Sequence, residues 1–221
     1  MAGPDADLVR ALLTRRFGPI DKPVLDPLDE LVLTILSQST TDANRDRGFA
    51  SLRDRFPTWG DVRLGARADV EDAVRVAGLA GQKAAAIQDA LDRLHQERGT
   101  LDLDHVETMS DEEAMDYLTS FGGVGVKTAA CVLCFAFRRP VLPVDTHVLR
   151  IARRLAWIPP KCTATRAHSL VSDRVAAEDR FAIHVLLIAL GRAVCTARTP
   201  NCDSCPLEEL CPGRSPHAPR A

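Results

Sequence analysis

At 221 residues with 46% hydrophobic content, the chain can bury a substantial core as one large or two modest domains; 5% aromatic content with abundant Ala, Leu, Arg and Asp favours helices over strands. A formal charge of −2 and a pI near 6.3 exclude a whole-molecule basic field, so any nucleic-acid site must be a local patch helped by oriented backbone dipoles. No apolar stretch reaches the roughly 18 residues of a membrane helix, and the N-terminus lacks the basic and apolar regions of a signal peptide, so a soluble cytoplasmic protein is expected.

Taken in order, Ala6 to Phe17 carries Leu8, Val9, Leu12, Leu13 and Phe17 as a helical stripe that stops at Gly18-Pro19. Leu28 to Leu36 is apolar nearly all round, which predicts a buried helix, and it runs into the polar knot Ser37 to Asp42. That knot is either a functional loop or the cap of a helix reaching about Phe56, with Thr41 or Asp42 as the capping residue. Pro57 to Gly60 is expected to be a turn and Val62 to Ala77 one or two short helices. In Gly78-Leu79-Ala80-Gly81, Leu79 is either a hydrophobic cap or a wedge for a DNA duplex. Gln82 to Arg98 is amphipathic, with Ile87, Leu91 and Leu94 on one face and Lys83, Asp92 and Arg93 elsewhere. Ser110 to Glu113 is a capping box opening a helix through Thr119. Helices are expected again at about 146–156, 164–176 and 178–194, and a Pro- and Arg-rich disordered tail from 212. With no alternating strand pattern and no repeat, the expected class is all-α.

Between two of these helices, Phe121-Gly122-Gly123-Val124-Gly125-Val126-Lys127-Thr128 turns on three glycines and puts Lys127 in the first turn of the next helix. Helix N-termini offer free N–H groups and partial positive charge, so they disfavour a cation and attract anions. The glycine N–H groups can hold a phosphate, and a neutral amine beside them is a nucleophile. The alternative is an ordinary helix corner with a solvated lysine. Val144-Asp145-Thr146-His147 follows, where Asp145 can cap a helix, hold the lysine's proton, or do both, and His147 is expected to be a structural hydrogen-bonding residue.

Seven cysteines stand at 131, 134, 162, 195, 202, 205 and 211. Cys195, Cys202, Cys205 and Cys211 can enclose an iron–sulfur cluster, the short pair supplying two thiolates and the longer spans the others. A zinc site remains the alternative, although its usual two short pairs are reduced here to one. Cys131 and Cys134 sit in an apolar run and are expected to pack as small hydrophobes, and Cys162 is expected to have no special role.

The lysine hairpin, the Val-Asp-Thr-His run and the Cys-x6-Cys-x2-Cys-x5-Cys loop, in this order, resemble the endonuclease III family of the helix-hairpin-helix DNA glycosylase superfamily, over about Leu25 to Cys211. The resemblance implies a base-excision repair glycosylase and abasic-site lyase with a two-domain helical fold and a substrate groove between the halves. A six-helix barrel domain with the hairpin would span 25–135. A second domain, 1–24 plus 136–211, would end in a [4Fe-4S] cluster on Cys195, Cys202, Cys205 and Cys211, and 212–221 would be the tail. It further implies that Lys127 is the nucleophile and Asp145 its acidic partner. Gly123, Val124 and Gly125 would meet phosphates, Leu79 would be the wedge, and Gln38 or Ser39 would fill the gap left by a flipped nucleotide. Arg198 would contact DNA from the cysteine loop. The implied partner is double-stranded damaged DNA, met by a monomer in the cytoplasm or nucleoid, with no membrane association.

The implied activity is removal of oxidised pyrimidines followed by β-elimination. The alternatives are a mismatch-specific monofunctional glycosylase and a non-catalytic iron–sulfur DNA-binding redox sensor. Three departures from the family pattern, Gly122 for proline, Val126 for a basic residue and Arg198 as the one basic residue between Cys195 and Cys202, predict a looser and less salt-sensitive grip on DNA.

Overall fold

A computed structural model describes residues 3–214. Among them the secondary structure is entirely helical, eleven α-helices with short 3₁₀ turns. The chain divides into two compact units, Val24–Arg139 and Met1–Pro23 with Pro140–Ala221.

The Val24–Arg139 unit is built around α2 (Pro27–Leu36), which packs against α3 (Asp42–Arg55), α6 (Ala80–Arg98) and α8 (Val126–Phe135). The start of α2 is locally determined: the Asp26 carboxylate accepts from the N–H groups of Leu28 and Asp29, and Pro27 stands where no amide proton is needed. Leu28, Leu31, Val32, Ile35 and Leu36 are all essentially inaccessible, as an all-round apolar helix requires. Thr41 caps α3, its hydroxyl accepting from Asn44 N at 3.3 Å. The expected turn at Pro57 to Gly60 is instead the entrance to α4 (Trp59–Leu64). Thr58 and Asp61 form a reciprocal capping box, and Pro57 precedes the cap without interrupting it. After α5 (Arg67–Val74) a 3₁₀ turn, Arg75–Ala77, leads to Gly78 and Leu79, and α6 begins. Helix α7 (Asp111–Thr119) opens on the expected box of Ser110 and Glu113.

Lys83 departs most from the sequence reading. It is buried to 1% exposure, its ammonium donating to the Leu36 and Ala77 carbonyls at 2.8 Å each. A lysine on the inner face of α6 is tolerated because two backbone acceptors, otherwise unsatisfied at element ends, replace its hydration.

The other unit packs α11 (Arg180–Ala193) against α1 (Ala6–Phe17) and α9 (Thr146–Arg154), with α10 (Ala164–Ser172) beside α9. Its core holds Val9, Leu13, Val148, Ile151, Leu186, Leu187 and Leu190. The N-terminal segment is fastened by Trp157 Nε1 donating to the Pro4 carbonyl at 2.8 Å and by an Arg10–Asp179 ion pair at 2.9 Å. Gly191 lets α11 approach α9 closely: a Cβ there would lie 2.5 Å from His147 Nδ1. Of the expected tail, 215–221 lie outside the described residues. Gly213 N donates to Arg154 O at 2.9 Å, and Arg214 pairs with Glu208, so the chain is held in place past Cys211.

Candidate functional site

The hairpin is a tight turn in which Val124 N donates to Phe121 O at 3.1 Å and Gly123 adopts φ +79°, a left-handed conformation that glycine reaches without strain. Val124 is therefore an internal residue, its side chain 4% exposed and its N–H closing the turn. Among the described residues the Gly123 and Gly125 N–H groups donate to no protein acceptor. Helix α8 starts at Val126 with Gly125 as a cap that has no side chain to offer, so its first N–H groups keep their capacity to bind an anion. Lys127 is the second residue of that helix and is partly exposed.

Gln38 is drawn to this hairpin. Its Nε2 donates to the Gly123 carbonyl at 3.0 Å and approaches Thr128 Oγ1 at 3.5 Å. Ser39, next to it, is exposed with φ 52°, and Leu79 is 49% exposed with φ 51°. A bulky side chain in the left-handed region is uncommon and costs free energy that surrounding contacts must offset. The hairpin and the polar knot are thus brought together in one unit. Four lysines occur in the chain, and accessibility separates the two in this unit: Lys83 is sealed and bonded, while Lys127 is reachable.

In the other unit Asp145 caps α9, one carboxylate oxygen accepting from Val148 N at 2.7 Å, which leaves its second oxygen for other work. His184 is missing from the sequence reading. It is 1% exposed, and its Nδ1 lies 2.8 Å from the Pro143 carbonyl, so that nitrogen carries the proton and anchors the segment entering Asp145. His147 Nδ1 accepts from Arg150 Nη2 at 3.1 Å, the structural bond expected of it. Arg150 also donates to the Gly191 carbonyl at 3.0 Å and to the Cys195 carbonyl at 2.8 Å.

Cys195, Cys202, Cys205 and Cys211 line one small cavity and are all partly buried. Burial pushes the Cys205 thiol up to about 11 and raises that of Cys211. Four thiolates in such a place need compensating positive charge, which bound iron supplies. Arg154 adds a little, donating to Cys195 Sγ at 3.0 Å and to the Thr196 carbonyl at 2.8 Å. Among the described residues no three His, Cys, Asp or Glu side chains converge on a point where one ion would sit. Four cysteine sulfurs lining one cavity are a donor set that suits a multi-iron cluster. Arg198 is exposed in the loop between the first two cysteines. Cys131 and Cys134 are buried in α8, and burial raises the Cys134 thiol to about 12, in keeping with a packing role; Cys162 is likewise buried.

Residues 32–176 match the HhH-GPD superfamily of base excision DNA repair proteins, and residues 195–211 match the iron–sulfur binding domain of endonuclease III. A DNA glycosylase of Arabidopsis thaliana is 38% identical over 81% of this chain, a match spanning 64% of that protein's length. Endonuclease III of Sulfolobus acidocaldarius is 33% identical over 82% of this chain and 79% of its own. The structure of a trapped endonuclease III–DNA covalent intermediate superposes with a TM-score of 0.80 at 27% identity, covering 94% of this chain and 95% of that one. The cofactor of the 195–211 segment is accordingly a [4Fe-4S] cluster.

Proposed function

The chain belongs to the HhH-GPD superfamily of base excision DNA repair proteins, among the endonuclease III-like DNA glycosylases, and from this we propose that it removes oxidised pyrimidines from duplex DNA and cuts the strand through a lysine Schiff base. The observation that carries the reading is the address of Lys127: partly exposed, in the first turn of a helix without a side-chain cap, directly after a turn whose Gly123 and Gly125 N–H groups donate to no protein acceptor among the described residues.

The chemistry follows from those groups. A target base must leave the stack before its C1′ can be reached. Leu79 and the Gln38–Ser39 turn are the candidates to occupy the space it vacates. The Gly123 and Gly125 N–H groups hold a backbone phosphate, fixing register without reading sequence. The Lys127 amine attacks C1′, the C1′–N bond breaks, and the departing base takes up a proton. Asp145 accepts a proton from the attacking nitrogen and stabilises positive charge on the sugar. The sugar ring opens to the Schiff base, loss of a C2′ proton expels the 3′ phosphate, and hydrolysis frees the lysine. Cys195, Cys202, Cys205 and Cys211 would hold the cluster, whose positive iron–sulfur core would offset part of the thiolate charge and tie together the loop bearing Arg198. With Val126 and a single loop arginine near the phosphates, binding is comparatively weak and its salt slope shallow.

That the trapped complex of the related endonuclease III is covalent supports the same path here. The test is incubation of the iron-loaded protein with duplexes carrying single oxidised pyrimidines, read by gel. Base release with strand cutting on the 3′ side of the lesion is expected. Base release without cutting would move the function to the monofunctional class, and DNA binding with neither would leave the sensor reading.

A further inference from the structure

Lys83 is among the largest fully buried side chains, and its position connects two distant segments. The Leu36 carbonyl ends α2, the Ala77 carbonyl ends the 3₁₀ turn Arg75–Ala77, and the Lys83 ammonium donates to both at 2.8 Å. Shortly after each carbonyl comes a left-handed residue with a side chain, Ser39 at φ 52° and Leu79 at φ 51°. The Lys83 amide also donates to the Leu79 carbonyl at 3.0 Å, so one residue grips the Gly78–Leu79 turn on both sides. Conformations of this kind persist only where neighbouring contacts over-determine them. Here the contact is a buried cation shared between two carbonyls, which loses its solvation if either turn moves away.

We propose that Lys83 is a positioning residue that sets the spacing of the two strained turns, so that Leu79 and the Gln38–Ser39 turn enter the duplex as one unit. This rests on the glycosylase reading above. An apolar side chain of similar length keeps the packing and removes only the tie. The consequence is specific: steps that need the turns inside a duplex suffer, and steps that need only Lys127 do not.

The experiment compares the iron-loaded protein with Lys83→Met on two substrates, a duplex with an oxidised pyrimidine and a single strand with a preformed abasic site. Duplex base release is expected to fall about 30-fold, a size typical of losing hydrogen bonds from a charged donor, while single-strand cleavage stays within about threefold. Because glycine occupies the left-handed region without strain, Ser39→Gly in the Lys83→Met protein should restore part of the duplex activity. The Leu79→Ala/Lys83→Met double variant should be no slower than the slower single, since both act through one turn. Equal losses on both substrates, multiplicative losses in the double variant, or unchanged duplex activity would overturn the proposal. If Lys83→Met does not fold, Lys83→Gln, a shorter neutral donor, is read in the same assays; failure of both to fold would make Lys83 a plain core residue and also overturn it. Absence of base release by the unmodified protein would remove the glycosylase reading and this proposal together, whereas a normal unmodified protein with an unaffected Lys83→Met removes this proposal alone.

Discussion

Gly122 and Gly123 are neighbours in the turn before α8, yet a methyl group should have opposite effects at the two positions. At Gly123, φ is +79°, where an L-residue costs about 1–2 kcal/mol. A Cβ there would stand 2.9 Å from the Ala86 Cβ, an atom fixed to α6 that cannot rotate aside, adding about 1–3 kcal/mol of overpacking. Gly123→Ala should therefore destabilise by about 2–5 kcal/mol and displace the carbonyl that Gln38 holds. At Gly122 nothing lies within 4 Å of a Cβ and φ is not positive, so Gly122→Ala should be neutral or stabilise by about 0.4–1 kcal/mol through the unfolded chain. Gly122→Pro should behave likewise, because proline suits the position before a left-handed glycine in such a turn. Equilibrium urea unfolding of the iron-loaded protein, followed by two independent probes, measures all three. Ala86→Gly in the Gly123→Ala protein should recover the packing part and leave the backbone part. Equal midpoints for Gly122→Ala and Gly123→Ala would refute the turn geometry.

Three further outcomes follow from the same structure. Tyr117 is the chain's single tyrosine, and burial with the adjacent Glu97 raises its pKa to about 12, so tyrosinate absorbance of the folded protein should titrate there and return to the ordinary range in denaturant. Because the folded state then keeps a proton that the unfolded chain releases, stability should fall as pH rises from about 10 through about 12. Gly191→Ala should cost about 1–3 kcal/mol in thermal unfolding, since its Cβ would meet His147 Nδ1 at 2.5 Å and Arg150 Nη2 at 3.0 Å, and a neutral result would contradict that close approach. Cys202→Ala should lose bound iron and the brown colour, while Cys131→Ala keeps both; iron loss in Cys131→Ala would show that the ligand set is wrong.

What the sequence made legible were the features whose cause is local. The Ser110 box, the largely apolar α2, the glycine turn before Lys127 and the spacing of the last four cysteines all carry their reason within a few residues. The Thr58 cap was missed because Pro57 and Gly60 read as turn residues, while the box itself uses the less expected aspartate at Asp61. Lys83 was assigned to a polar face because a lysine counts as polar in any periodicity, and the acceptors that permit its burial come from Leu36 and Ala77, the former 47 residues away. Gln38 bonding to Gly123, 85 residues distant, and His184 bonding to Pro143, 41 residues distant, are likewise products of packing that no short window contains.

The most direct measurement is borohydride trapping on abasic-site DNA, which reduces a Schiff base to a stable adduct between protein and strand. The unmodified protein should be captured covalently, with the modified peptide carrying Lys127, and Lys127→Ala should give no adduct although it folds and keeps its iron. No adduct with the unmodified protein, or an undiminished one in Lys127→Ala, would contradict the assignment of Lys127 as the nucleophile.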